Sequence, residues 1–209
     1  MDTIKHLEWR YATKKFDKTK KLSASKLNIL KQAFNLTATS FGLQTISLLV
    51  VTNPDIRERL VEHTYRQLQV LDASHLLIIC IKETIDSKDV NDYFDNVRDI
   101  RNTSETILSP YRKNLIETIE RRTQNEQQQW SINQAHIALG NLMTVCAIEG
   151  IDSCPMEGFI THKYDDILNL KARGLKSVLL LPVGYRAEDD MFSGFLKVRK
   201  NIEHTIIEI

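Results

Sequence analysis

Four short segments of this 209-residue chain hold the side chains best suited to chemistry. Residues 10–17 (RYATKKFD) gather cationic and aromatic groups, with Arg10, Tyr11, Ala12 and Lys14 at their head. Residues 37–44 (TATSFGLQ) set the hydroxyls of Thr39 and Ser40 beside Phe41 and Gly42. Residues 154–159 (CPMEGF) place Pro155, Met156, Glu157 and Gly158 in a turn, and Lys197 and Arg199 flank Val198 near the end. Each segment also has a plain structural reading. Arg10 and Lys14 can be solvated surface charge, Thr39 and Ser40 a cap or turn, residues 155–158 an ordinary loop, and Lys197 and Arg199 an exposed edge pair. Self-sufficient catalytic signatures are missing: there is no GxSxG, Walker A, GxGxxG or HExxH pattern. The histidines (His6, His63, His75, His136, His162 and His204) are scattered with none paired at ligand spacing, so no metal site is expected. An enzyme built this way needs a bound cofactor to carry its reaction.

Composition narrows the class. Apolar residues make up 42% and charged residues 26%, with a formal charge of +1. That is ordinary globular usage, and the balanced charge argues against nucleic acid or a membrane surface as partner. The first residues carry no apolar run suited to an export signal, and the longest apolar runs (76–81 and 178–183) are too short to span a bilayer. Cys80, Cys146 and Cys154 form an odd set without CxxC spacing, so no disulfide framework and a cytoplasmic address are expected.

The elements that must position these groups are partly legible. Ser23 is a fair N-cap for a helix through about Asn35, with Leu27, Leu30 and Phe34 on one face. Residues 46–51 read as a buried strand ending at Asn53-Pro54, a cap followed by proline at the first helical position. A helix over 55–63 follows, then a second buried strand over 76–81 (LLIICI). Residues 83–130 are polar with helical spacing of Val90, Phe94, Leu108 and Leu115, which predicts two helices with wet outer faces. Within them 121–129 (RRTQNEQQQ) reads as a solvated helix face. A core helix runs from Trp130 to Glu149 with Gly150 closing it, and 177–183 form a third buried strand. The tail 201–209 (NIEHTIIEI) is strand-like with no neighbour to pair with. Without a linker or repeat, one domain over 1–209 of α+β class is the simplest arrangement.

Taken together, RYATKKFD, YRQLQVLDASH, NQAHIALGN, PMEGF, LLLPVGYR and KVR, in this order, resemble the nitroreductase family, close to the oxygen-insensitive NAD(P)H nitroreductases and dihydropteridine reductases. The resemblance implies a central mixed sheet flanked by helices, with the C-terminal strand exchanged between the subunits of a homodimer. It implies FMN as cofactor, NADH or NADPH as reductant, and ping-pong hydride transfer through flavin N5 to a small aromatic or quinone-like acceptor. Arg10, Lys197 and Arg199 would hold the phosphate, a task suited to planar forked donors. Lys14 would lie by the pyrimidine edge and raise the flavin's potential. Pro155, Met156, Glu157 and Gly158 would run against one face of the ring, with the Glu157 N–H toward N5 and the Gly158 N–H toward O4. Thr39, Ser40 and Gly42 would come from the partner subunit, while Gln69 and Gln134 would add polar contacts. Tyr11 and Ala12 complete the cofactor set, Phe41 would border the substrate pocket, and no side chain is nominated as acid or base.

The chain also departs from the family pattern. Ala12 stands where many relatives have serine, which removes a hydroxyl. Arg66 replaces an asparagine that commonly meets the N3/O4 edge; arginine can donate to O4 but cannot accept from N3–H. Thr45 replaces a common proline. Two other classes stand beside the enzyme: an FMN-binding storage or sensing protein with little turnover, favoured if Arg66 and Phe41 block the ring, and a helical interaction protein built on residues 83–130.

Overall fold

Capping chemistry sets where the helices start. In the computed structural model, which describes residues 2–209, Asp2 accepts the Lys5 N–H ahead of helix α1 (Thr3–Trp9). Ser23 caps α2 (Ala24–Asn35) through the Lys26 N–H, as its sequence predicts. After strand β1 (Ile46–Val51), Asn53 accepts from Ile56 at 3.1 Å and Pro54 opens α3 (Pro54–Glu62). Proline suits that position because the first N–H of a helix has no partner to lose. A single turn, α4 (Gln69–Asp72), leads into β2 (His75–Lys82). Asp86 and Asp89 form a capping box at α5 (Ser87–Arg101), which pairs with α6 (Glu105–Glu120).

The core helix α7 (Gln124–Ile148) corrects the expected start at Trp130. Thr123 and Glu126 build a second capping box, so 121–123 are a turn and the helix begins within the polar string. Nor is that string a solvated face throughout. Gln127 is buried, and its amide takes the Ile85 N–H at 3.1 Å and gives a hydrogen bond to the Ile119 carbonyl. The short strand β3 (Asp152–Ser153), helix α8 (Thr161–Ile167) and strand β4 (Leu175–Gly184) follow, completing the α-helices and strands of the described residues.

Among the described residues the four strands run in the order β1-β2-β4-β3 and pair antiparallel throughout. The parallel component of the expected mixed sheet is a single bridge, Ala12 to Ser153. Both faces of β2 and β4 are covered, which is why residues 76–81 are apolar without alternation. Leu77, Ile79, Leu179 and Leu181 pack toward α2 and α7, while Leu76, Ile78, Cys80 and Leu180 pack with Leu60 and Tyr164 on the other face. Each such side chain adds roughly 1.5–3 kcal/mol by leaving water. A third cluster around Val90, Phe94, Leu108, Leu115 and Ile119 gives α5 and α6 their own core.

The α+β expectation is therefore met, and two helices do fill residues 87–120. The three cysteines are buried and free. No helix among the described residues is long and apolar enough to cross a membrane. The tail behaves differently from its sequence pattern: within the chain it forms a 3-10 turn at Ile202–His204 and no strand, and Leu196, Val198, Ile202, Ile206 and Ile207 are exposed.

Candidate functional site

The N-terminal segment is held in place by one buried carboxylate. Asp190 accepts from the Tyr11 hydroxyl at 2.7 Å and from the N–H groups of Lys14, Lys15 and Phe192 at 3.0–3.1 Å. Burial pushes its pKa up most strongly, but the hydrogen bond from Tyr11 and those from the backbone outweigh it, and the net shift is downward. Tyr11 is raised, by burial first and by Asp190 next. Ala12 bridges to Ser153, and the Thr13 N–H donates to the Ser153 carbonyl. Asp190→Ala would leave three N–H groups and a phenol unpaired, and should lower stability by about 2–4 kcal/mol. A group whose folded pKa is depressed stabilises above its unfolded value and loses that effect as pH falls through the folded value. The gap in denaturation midpoint between wild type and variant should therefore be full at neutral pH and shrink in acid. Equal midpoints at pH 7 would remove Asp190 from this role.

A second buried acid, Asp152, holds Arg186. Its carboxylate meets the Arg186 Nε at 2.7 Å and a terminal nitrogen at 2.6 Å, and it accepts the Arg186 N–H. The guanidinium lies over the rings of Trp9 and Tyr11 at 4.3 and 4.6 Å. Sequence reading missed Asp152, Asp190 and Arg186 as organisers. For Asp152 alone a local signal existed, an acid in the mostly apolar run 151–156.

Beside this platform three cations gather. The Lys197 amino group donates to the Arg10 carbonyl, and Arg199 lies close enough to disturb it. The Lys197 pKa is lowered by burial first, then by Arg10, Arg199 and Arg186, with Glu8 offsetting least. Among the described residues no carboxylate reaches ion-pair distance of Arg10, Lys197 or Arg199. Like charges held near one another, with Glu8 only partly offsetting them, make a site that favours an anion.

The turn 155–158 is pinned on both sides and open in the middle. Met156 exchanges both backbone hydrogen bonds with Leu180 at 2.9 and 3.0 Å, and the Ile160 N–H donates to the His63 carbonyl. Between them the N–H groups of Glu157 and Gly158 are exposed and have no hydrogen-bond partner among the described residues. A Cβ at Gly158 would make only ordinary contact, 3.6 Å from Gln67 and 3.9 Å from Tyr65. The chain's own packing thus does not require glycine there. Lys14 lies within electrostatic reach of Cys154, which leads into the turn. Tyr65 and Arg66, flanking it, are exposed and hold φ of 52° and 59°, a left-handed backbone uncommon for residues with side chains. Gln69 is buried in α4.

Thr39, Ser40, Phe41 and Gly42 form a separate group. The Ser40 N–H donates to Gln134 Oε1 at 2.9 Å, and Gln134 donates in turn to the Trp130 carbonyl. Phe41 has φ of 58°, and its ring centroid lies 6.0 Å from that of Trp130. The Thr39 hydroxyl is buried without a partner among the described residues. Gly42 has a reason within the fold: its φ is +75° and a Cβ would come within 3.0 Å of the Tyr93 ring. No hydrogen bond or ion pair among the described residues joins this group to Arg10, Lys14, Lys197 or Arg199. No cluster of potential metal ligands occurs among the described residues.

The profile of the Nitroreductase family matches residues 7–185. The chain is 26% identical, over all of both chains, to the oxygen-insensitive NAD(P)H nitroreductase of Salmonella typhimurium. It is 33% identical over 87% of each chain to a Bacillus subtilis protein with the provisional name NAD(P)H nitroreductase YfkO. Its fold matches a provisionally named nitroreductase in complex with FMN from Exiguobacterium sibiricum, with a TM-score of 0.84 and 16% identity over 100% of this chain and 98% of that one.

Proposed function

The chain belongs to the nitroreductase family, and on that premise we propose that it is an FMN-dependent NAD(P)H oxidoreductase acting on a small aromatic or quinone-like acceptor. The observation that carries the reading is the gathering of Arg10, Lys197 and Arg199 with no ion-paired carboxylate among the described residues, which suits a doubly charged phosphate monoester. The FMN-bound structural neighbour and the NAD(P)H nitroreductase relatives support the same cofactor pair. When bound, FMN supplies the two-electron carrier between NAD(P)H and acceptor.

The chain's own residues would bind and orient it. Arg10, Lys197 and Arg199 would hold the phosphate, and Lys14 would face the pyrimidine edge. Pro155 and Met156 would lie against the ring, with the unpartnered N–H groups of Glu157 and Gly158 toward N5 and O4. Gln69 and Arg66 would approach from the neighbouring loop, with Arg66 able to donate but not accept. Thr39, Ser40 and Gly42 would serve the partner's site in a homodimer, and the Ser40–Gln134 hydrogen bond implies that Gln134 travels with them. The buried, unpartnered Thr39 hydroxyl is consistent with a polar group arriving from outside the chain. The whole would be one FMN-binding unit spanning 1–209, with Phe41 at the substrate side of the ring.

If both substrates were to use the same face of a bound flavin, they would have to alternate. Initial-rate data with NAD(P)H and a quinone should give parallel double-reciprocal lines, each substrate inhibiting competitively against the other at high concentration. Intersecting lines would mean separate sites and would overturn the shared-face reading.

A further inference from the structure

His136 stands on the exposed side of α7 with both ring nitrogens facing acceptors. Its Nδ1 lies 2.9 Å from the Ile132 carbonyl, one turn back along the helix, and its Nε2 lies 2.8 Å from Glu157 Oε1. A carbonyl and a carboxylate can only accept, so both nitrogens must donate, and only the imidazolium does so. Either neutral tautomer turns a lone pair toward an acceptor. The hydrogen bond to Glu157 and then that to Ile132 hold the His136 pKa above its ordinary value, against a smaller effect of burial. Glu157 is the charged group that faces it.

This contact is also the one side-chain hydrogen bond that reaches residues 155–158 among the described residues. The turn is otherwise tied by backbone at Met156 and Ile160, on either side of the two free N–H groups. Resting on the reading above, in which those groups meet the flavin, we propose that protonated His136 is a positioning residue: through Glu157 it fixes the turn so that its two adjacent free N–H groups are presented to FMN. Nothing in the family resemblance assigned His136 a part.

The pair is substantially exposed, 47% for His136 and 74% for Glu157, so the effect is modest. Exposed pairs contribute about 0.2–1 kcal/mol, which corresponds to roughly a 1.5- to 5-fold change in affinity. Because protonation makes the contact, its contribution is present below the His136 pKa and fades as pH rises through it. The test measures FMN dissociation constants by fluorescence from pH 5.5 to 8.5 for wild type, His136→Gln and Glu157→Gln. Ratios of variant to wild type cancel the titration of the FMN phosphate itself. Each ratio should be about 1.5 to 5 at low pH and approach one at high pH. In the cofactor-free protein, imidazole NMR should show His136 titrating above its ordinary value of about 6.5, and lower in Glu157→Gln. The Glu157 and Gly158 amide signals should shift with the same midpoint. Ratios that do not vary with pH, or amide signals that ignore the His136 midpoint, overturn the proposal while leaving FMN binding intact. A wild type that binds no FMN at any pH would instead sink the functional reading on which it rests.

Discussion

Arg199→Ala should weaken FMN binding by about ten- to a hundredfold, toward the low end of what truncating one partner of a closed-off charge pair costs. The Lys197 pKa is lowered by burial first and then by repulsion from Arg10 and Arg199. A dianionic phosphate converts that repulsion into attraction, so the loss of one cation falls almost wholly on the bound state. Lys14→Ala should behave otherwise. Its backbone N–H is already held by Asp190, leaving its side chain free to act on the ring's electronics. That variant should retain more FMN but be reduced more slowly by NAD(P)H. Isothermal titration with FMN and stopped-flow reduction separate the two. Equal, small losses of affinity at both positions, with reduction unchanged, would show the phosphate to lie elsewhere.

Deleting residues 201–209 should release FMN and disperse the proposed dimer together. The tail offers Ile202, Ile206, Ile207 and Ile209 to solvent, an apolar surface that a lone chain does not cover. Beyond the local bonds of its 3-10 turn, its backbone has no strand neighbour among the described residues. An isologous dimer in which each tail adds a strand to the partner's sheet would meet both needs. If Thr39, Ser40 and Gln134 serve the partner's cofactor, dimer and site are one equilibrium. Light scattering and flavin content on the truncated protein should then fall in step. A truncated protein that stays dimeric and yellow would refute the exchanged strand.

Local signals in the sequence carried far. The strand at Ile46–Val51 and the apolar run 76–81 were legible because burial on both sheet faces leaves no room for polar alternation. Ser23 and Asn53-Pro54 marked helix starts through side-chain caps that depend only on residues three along. The start of α7 was hidden for an opposite reason: the Thr123–Glu126 capping box sits inside a polar string that looks like surface throughout. The short elements α1, α4, α8 and β3 carry too little periodicity to announce themselves.

Within the site, the separated segments were legible but their organisers were not. Asp190 reaches back to Tyr11, 179 residues away, and Asp152 holds Arg186 across 34. Nothing local distinguishes Asp190, in the polar run 188–190, from a surface acid, and the apolar neighbours of Asp152 do not say what it holds. The left-handed backbone at Phe41, Tyr65 and Arg66 was equally silent, since no glycine marks it.

The proposed activity depends on bound FMN. An absorbance spectrum of the purified protein should show a flavin near one FMN per chain. Its visible band should bleach on anaerobic addition of NADH or NADPH and return when a quinone is added. A colourless protein that takes up no added FMN, or one that holds flavin which neither nucleotide bleaches, would contradict it.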